Sequence, residues 1–337
     1  MKKQSSKESF EVRVELSAAL VALESDSPRI MLLKDAPASG GVGVGLPSGP
    51  FDPAGDRTLE EGLRRWVADQ SGISLGYVEQ LYTFGDRDRD ALGRRGGARP
   101  VSVGYLALVR PADLRERANE IWSDWYRHFP WEDWRTGAPA ILDTVIAPAL
   151  RGWIDAAVDR ADRTRRRDRA DTTFGWNGAA WDNERVLERY ELLYETGLVA
   201  EAAADGRVSP DDRSRLIFAI TGQPMIKDHR RILATAMGRL RGKIKYRAVI
   251  FELMPPMFTL FQLQQAIEAL AGTPLHKQNF RRLVAHEGLV EPTGQVSSLT
   301  GGRPAELFRF RRDVVRERPA PGVRLPVRRT KRGAEAG

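Results

Sequence analysis

The stretch "LEEGLRRWVADQSGI", residues 59–73, carries the clearest helical period in the first third of the chain. Leu59, Leu63, Trp66 and Val67 fall at i, i+4, i+7 and i+8, one face of an α-helix. Gly72 stands where a left-handed C-terminal cap belongs, so the spacing predicts a helix from Leu59 to about Ser71. Strand patterns surround it. "FEVRVELSAALVAL" (10–23) alternates and then turns continuously apolar, and "RIMLLKD" (29–35) is a short strand. "YVEQLYTF" (77–84) and "VSVGYLALV" (101–109) are two more. One helix among strands makes the first 110 residues an α/β or α+β layer arrangement.

The 337 residues are enough for two domains and an insertion. With 42 % hydrophobic and 29 % charged residues the composition is that of a soluble globular protein. No apolar run approaches the roughly 18 residues of a membrane span. "MKKQSSKESFEVRVEL" leads into alternating residues and not into an apolar signal segment, so a cytoplasmic location is expected. The absence of cysteine excludes disulfides, thiol catalysis and cysteine-based zinc sites. The net charge of +8 is unevenly placed: residues 227–337 hold 22 Lys+Arg against 9 Asp+Glu, or +13, which leaves −5 on the rest. That segregation points the C-terminal third at a polyanion.

Residues 111–225 differ in character. "IWSDWYRHFPWEDWR" (121–135) places Trp122, Trp125, Trp131 and Trp134 close together. Aromatic clusters can stack nucleobases, but the core of an insertion or a subunit contact is the favoured reading. "AILDTVIAPALRGWIDAAVD" (140–159) and "NERVLERYELLYETGLVAEAAA" (183–204) read as amphipathic helices, and "RADRTRRRDRAD" (160–171) between them reads as a solvated loop. "DHRRILATAMGRLRGKIKY" (228–246) is a basic helix. Ile232, Leu233, Ala236 and Leu240 supply its apolar stripe, and Arg230, Arg231, Arg239 and Arg241 its charge.

From residue 246 to about 315 the pattern is that of a winged helix-turn-helix. Thr259 and Gln262 form a capping-box pair ahead of the stripe Leu260, Leu263, Ile267 and Leu270, and Gly272 ends that helix. Thr273 is expected to cap a second helix with Pro274 at its first position. At 100° per residue, Leu275, Phe280, Leu283 and Val284 point one way, while Gln278, Arg281 and Ala285 point the other, flanked by Lys277 and Arg282. Amides and guanidiniums around a small residue suit insertion into a major groove, where Gln and Arg bond bidentately to base edges. "LVEPTGQVSSLTGGRPAELFRFRRD" (289–313) reads as a β-hairpin wing with Arg303 near its tip, within reach of a phosphate or the minor groove. The candidate DNA contacts are therefore Thr259, Lys277, Gln278, Asn279, Arg281, Arg282 and Arg303. Residues 316–337 are expected to be a basic disordered tail.

The segments "LPSG", "RWVADQSGI", "EQLYTFGDRDRD" and "VSVGYLALV" resemble a Nudix fold of the ADP-ribose pyrophosphatase kind. The helix 228–246, "FELMPPMFTLFQLQQAIEALAG", "KQNFRRLV" and "GGRPAELFRF" resemble the linker helix and winged domain of the Nudix-related regulators called NrtR. The tryptophan-rich insertion brings the chain nearer the related NAD regulators called NadQ. The resemblance covers roughly residues 9–110 and 226–312. It implies an α+β fold: a Nudix-like mixed-sheet sandwich (1–110) with a helical insertion (111–225), a linker helix (226–245) and a winged helix-turn-helix (246–315). It further implies a homodimeric repressor of NAD-synthesis genes on a double-stranded DNA operator. NAD, ADP-ribose or ATP would be its effector ligand, with no cofactor required.

The Nudix signature sets Arg-Glu-apolar-x-Glu-Glu-x-Gly-apolar on a helix whose glutamates bind Mg²⁺. Here Arg65, Val67, Gly72 and Ile73 keep the structural places, while Trp66, Asp69 and Gln70 occupy the three glutamate places. The resemblance thus implies a cleft without catalytic or metal-binding residues. Glu60 and Glu61 suit the positive end of the helix dipole. In "GDRDRDALGRRGG" (85–97), Arg87, Arg89, Arg94 and Arg95 are the candidate contacts to an effector's pyrophosphate. "GGVGVGLPSG" (40–49) lacks the strand, helix and spacing of a dinucleotide fingerprint. The four histidines share no ligand spacing. The main rival is a divergent Nudix hydrolase acting on ADP-ribose or a similar nucleoside diphosphate derivative; a second is an RNA-binding or scaffold protein using the tryptophan-rich segment.

Overall fold

The computed structural model describes residues 12–24, 26–34, 43–86, 99–110, 120–209, 211–297, 304–317, 322–323 and 328–329. Its centre is a mixed sheet of seven strands: β1 (Val12–Glu24), β2 (Ser27–Lys34), β3 (Val44–Gly45), β4 (Ser48–Pro50), β5 (Val78–Phe84), β6 (Arg99–Leu108) and β7 (Glu120–Asp124). The order is β3-β2-β1-β6-β5, with β4 pairing β1 and β7 pairing β2. β1 and β6 run parallel in the register Leu16↔Val103 and Leu20↔Ala107, and the other pairs are antiparallel. Residues 18–23 read as continuously apolar because both faces of β1 are covered. Leu16, Ala18, Leu20 and Ala22 pack with Leu63 and Val67 of helix α1 (Leu59–Ser71). Ala19, Val21 and Leu23 face the opposite layer.

That layer comes from the segment expected as an insertion. Residues 120–124, grouped with it on sequence, form β7 of the main sheet instead, in the register Met31↔Trp122. Trp125, Trp131 and Trp134 are buried in the large core beside Tyr190, Leu193, Leu233 and Met237. After a π-helical turn (Leu142–Ile146) come α2 (Ala147–Asp155), α3 (Arg160–Phe174), a short strand β8 (Ala180–Trp181), α4 (Val186–Glu195), α5 (Ala200–Ala204) and α6 (Asp212–Ile220).

The arginine-rich run 160–171 is helix α3 and not a loop. Asp159 caps it by accepting from Asp162 N–H at 2.7 Å, and Gly175 ends it at φ +67°. Asp162 in turn pairs with Arg165 and Arg166 at i+3 and i+4. Caps and counterions one turn apart hold this helix, which has no apolar stripe to betray it.

Helix α7 (His229–Tyr246) crosses the sheet on this side and leads to the C-terminal unit. There α8 (Leu260–Ala271) and α9 (Lys277–Glu287) precede a hairpin of β9 (Val290–Ser297) and β10 (Ala305–Phe310). The capping box is formed: Thr259 Oγ1 accepts from Gln262 N–H at 3.1 Å, and Gln262 Oε1 accepts from Thr259 N–H at 2.8 Å. Gly272 is left-handed at φ +70°. The second helix starts later than expected, at Lys277, with His276 and not Thr273 at its N-cap. The cause is local: Leu275 N–H donates to Glu268 Oε1 at 2.7 Å and Leu275 O accepts from Gln264 Nε2 at 3.0 Å, which ties the turn to α8.

Part of the expected tail is ordered as well. After α10 (Val314–Glu317), Val323 N–H donates to Ile244 O at 2.8 Å, and β11 (Arg328–Arg329) pairs antiparallel with β8. Among the described residues no helix is long and apolar enough to cross a membrane.

Candidate nucleic-acid interface and effector cleft

The helix that would carry Nudix chemistry is capped by Thr58, whose hydroxyl accepts from Glu61 N–H at 3.1 Å. Arg65 grips the Asp56 carboxylate through two hydrogen bonds of 2.8 Å. Asp56 is buried and also accepts from Asp52 N–H, and the Arg65 hydrogen bonds hold its carboxyl below the usual range. Two of the three glutamate places serve packing. Trp66 Nε1 donates to Pro50 O at 2.6 Å and Gln70 Nε2 to Ser48 O at 3.0 Å, so both pin β4 onto α1. A Cβ at Gly49 would overlap the Trp66 indole, which fills the space between helix and strand. Asp69, at the third place, is exposed. Mg²⁺ requires an octahedral shell of oxygens, and an indole, an amide bonded to a carbonyl and one exposed carboxylate do not fit it. Among the described residues no group of three or more His, Asp or Glu is placed to hold a metal.

On the other face of the sheet a small cleft lies between β1, β6 and the start of α7, lined by Glu15, Phe84, Ser102, Lys227 and His229. Lys227 has φ +51°, a left-handed conformation unusual for a residue with a Cβ, and its Nζ donates to both Glu15 oxygens at 3.0 and 2.8 Å. His229 is buried, its Nδ1 accepts from Leu46 N–H at 2.9 Å, and burial followed by the Lys227 charge pushes its pKa down to about 3. The ring is therefore neutral with Nδ1 unprotonated. Arg231 reaches Asp86 at the edge of this cleft. The proposed pyrophosphate contacts Arg87, Arg89, Arg94 and Arg95 lie outside the described residues, as does Arg303 of the wing.

A buried ionic network ties the sheet layer to the C-terminal unit. Arg230 and Arg241, expected to supply charge on α7, are both fully buried. Arg230 pairs with Glu201 at 3.0 Å and donates to His128 O at 2.9 Å. Arg241 bonds Glu132 Oε2 at 2.5 Å and Leu270 O at 2.9 Å, while Arg189 binds the same carboxylate at 2.5 and 3.0 Å. Burial alone raises the Glu132 carboxyl; Arg189 and Arg241 outweigh it, so Glu132 stays ionised below the usual range. The end of α8 is held by the same cluster, through Tyr126 O–H to Ala269 O at 2.6 Å and Trp134 N–H to Gly272 O at 2.7 Å. Sequence reasoning missed this network, although Arg230 and Arg241 are eleven residues apart, three helical turns, on the stripe that also holds Leu233, Met237 and Ile244.

Helix α9 turns Phe280 and Val284 into the core and leaves Lys277, Gln278, Asn279, Arg281, Arg282 and Ala285 exposed. The face expected from the 100° rotation is the face the structure exposes. Thr259 is different: it is 4 % exposed and its hydroxyl serves the cap of α8, so it stands off this surface.

Residues 250–310 match the family described as the NrtR DNA-binding winged helix domain. The C-terminal unit thus matches the NrtR winged helix family. Over 83 residues, 25 % of this chain, the sequence is 46 % identical to the ADPR responsive transcriptional repressor NtrR of Acinetobacter baylyi. The match spans a third of that relative's length. Among solved structures, Shewanella oneidensis NrtR complexed with a 27mer DNA superposes with a TM-score of 0.54 at 21 % identity, covering 92 % of this chain and 98 % of that one. A MutT/nudix family protein from Enterococcus faecalis gives a TM-score of 0.52 at 12 % identity, with 91 % of each chain covered. The fold ahead of the winged helix is therefore a mixed α/β Nudix-like domain. Within it the signature helix keeps its shape and its arginine, and two of its three metal-binding places hold packing groups, the third an exposed aspartate.

Proposed function

We propose that the chain is a DNA-binding transcriptional repressor of NAD biosynthesis genes, whose Nudix-like domain senses NAD or a related adenine nucleotide such as ADP-ribose or ATP and hydrolyses none of them. The observation that carries this reading is the exposed face of α9. Lys277, Gln278, Asn279, Arg281 and Arg282 surround the small Ala285 there, on a helix whose other side is core. Gln278 and Arg281 are the proposed base readers and Lys277 and Arg282 the phosphate contacts, with Arg303 assigned to the wing. Two copies would place two such helices on half-sites one DNA turn apart, about 34–36 Å. The ADP-ribose response named for the Acinetobacter relative supports an adenine nucleotide as effector. The displaced signature carboxylates support a sensor whose ligand survives binding.

The effector is proposed to act through α7. Its N-terminal end lies at the Lys227–Glu15 cleft and its far end contacts α8 through Arg241. A nucleotide binding more tightly to one arrangement of α7 than to another shifts the population able to grip the operator. The test is a mobility shift of the full chain on NAD-synthesis promoters with NAD, ADP-ribose and ATP added singly. A specific shift altered by one nucleotide supports the reading, and equal binding to random duplex sinks it. Incubation with Mg²⁺ and ADP-ribose decides the hydrolase rival: turnover near 1 s⁻¹, ordinary for an enzyme, would favour it.

A further inference from the structure

Apart from the α9 face and the sheet cleft, a cavity of about 420 Å³ opens in the helical layer between α2 and α3. That volume suits a small organic ligand. Arg151 and Asp155 line one wall at i and i+4 of α2, with Ile154 of the same helix as apolar floor. Arg167 and Asp171 line the facing wall at i and i+4 of α3. Trp176, just beyond the Gly175 cap, is half-buried at the rim and stacks on buried Phe174 with centroids 5.0 Å apart.

Oppositely charged side chains four apart on a helix ordinarily pair. Here they do not. Among the described residues no ion pair joins Arg151 to Asp155 or Arg167 to Asp171, and Asp171 Oδ1 accepts from Asn177 Nδ2 at 2.9 Å instead. The neighbouring arginines of α3 are engaged, Arg166 by Asp162 and Arg169 by Glu195, and both guanidiniums lie over the Trp153 ring. The π-helical turn Leu142–Ile146, which carries Asp143 to the cavity, is an independent feature. Such turns are rare and concentrate at functional sites.

We propose that this cavity is a second ligand site and that its ligand is a nucleoside monophosphate. The base stacks on the Trp176 ring, the phosphate lies between Arg151 and Arg167, and the ribose hydroxyls donate to Asp155. Each wall supplies one guanidinium and one carboxylate, and Asp143 adds a third carboxylate, so the lining has a formal charge of −1. A bare anion or a triphosphate chain meets more repulsion than attraction there, whereas a ligand with one phosphate, a diol and a ring uses all three features.

The experiment titrates AMP into the full chain by calorimetry and maps the site with 8-azido-AMP. AMP should bind saturably, and the photolabel should fall on the peptide containing Trp176. Arg151→Glu and Arg167→Glu, both at exposed positions, should each weaken AMP about tenfold or more, the loss expected for one charge-assisted contact, with unchanged thermal midpoints. Arg165→Glu, on the same helix but outside the cavity, should bind AMP as the parent does. The proposal is overturned if AMP shows no saturation below about 1 mM, which corresponds to only about 4 kcal/mol of binding. It is equally overturned if the label maps to the sheet, if inorganic phosphate binds as well as AMP, or if Arg165→Glu weakens AMP as much as Arg167→Glu.

Discussion

Glu132 is one carboxylate serving two fully buried guanidiniums, and Glu132→Gln tests what that arrangement is worth. The substitution keeps the shape of the side chain. Its amide oxygen can still accept from Arg189 or Arg241, but its Nε2–H₂ group would then face the other guanidinium, donor against donor. Both arginines retain carbonyl partners, Thr173 O and Asp182 O for Arg189 and Leu270 O and Asn183 O for Arg241, so neither loses every hydrogen bond. What they lose is the counter-charge, in a setting where all three side chains are 0 % exposed. Removing one partner of such a buried pair costs about 3–5 kcal/mol. At roughly 2–4 °C per kcal/mol for a chain of this class, the unfolding midpoint should fall by about 10 °C. Thermal melts followed by near-ultraviolet circular dichroism read the effect directly, because the Tyr126 hydroxyl accepts a hydrogen bond from Arg241 and the Trp181 ring lies 3.9 Å from the Arg189 guanidinium. The triple variant Glu132→Gln/Arg189→Met/Arg241→Met should recover much of the loss, since an apolar replacement of a whole ionic cluster is often neutral or stabilising. A midpoint within about 2 °C of the parent for Glu132→Gln alone would refute the reasoning and assign the arginines' stability to their carbonyl partners.

His128 and His229 carry pKa values pushed down to about 4 and about 3, mainly by burial, from an ordinary 6.5. Below pH 6.5 the unfolded chain takes up protons that the native chain refuses, so stability falls as pH drops from 6.5 toward 4, by about 2 kcal/mol per histidine at pH 5. Urea midpoints between pH 7 and pH 5 should show this slope, and His229→Gln should flatten it; a pH-independent midpoint in the parent contradicts the neutral buried rings. Arg281→Ala should lower affinity for a specific operator by about 1–3 kcal/mol in titrated mobility shifts, and equal weakening on random duplex would remove it from base reading. Gly272→Ala should destabilise by at least about 1 kcal/mol in chemical denaturation, because the position is left-handed and a Cβ would overlap Glu132 O; a neutral result would mean that the Tyr126–Trp134 clamp on α8 yields easily.

What could be read in the sequence was local. The span of α1, the capping box of α8, the outward face of α9 and the wing hairpin all rest on residues within a turn or a hairpin of one another. What escaped depends on partners far along the chain. Trp66 and Gln70 announce the loss of glutamates, but the hydrogen bonds that put them to use reach β4, more than a dozen residues earlier. Arg230 and Arg241 look like solvent charges until Glu201 and Glu132 come from distant segments to meet them. Helix α3 escaped because it has no apolar stripe and is held by its caps and ion pairs instead. The start of α9 shifted because Glu268 and Gln264 of the preceding helix hold the turn through Leu275.

The strand β11 sets a timetable for the nascent chain. It pairs with β8, which lies in the helical layer ahead of the winged helix, and Val323 closes onto the far end of α7 just before it. During synthesis at about 5–20 residues per second, the sheet and α1 can assemble early, but this last pairing must wait until residue 329 has cleared the ribosome. Until then β8 presents a short unpaired edge next to an exposed arginine helix, a surface to which a chaperone or a second unfinished chain has access. Cutting the gene before residue 322 would make that waiting state permanent, and its first symptom would be poor recovery of soluble protein before any defect in reading DNA.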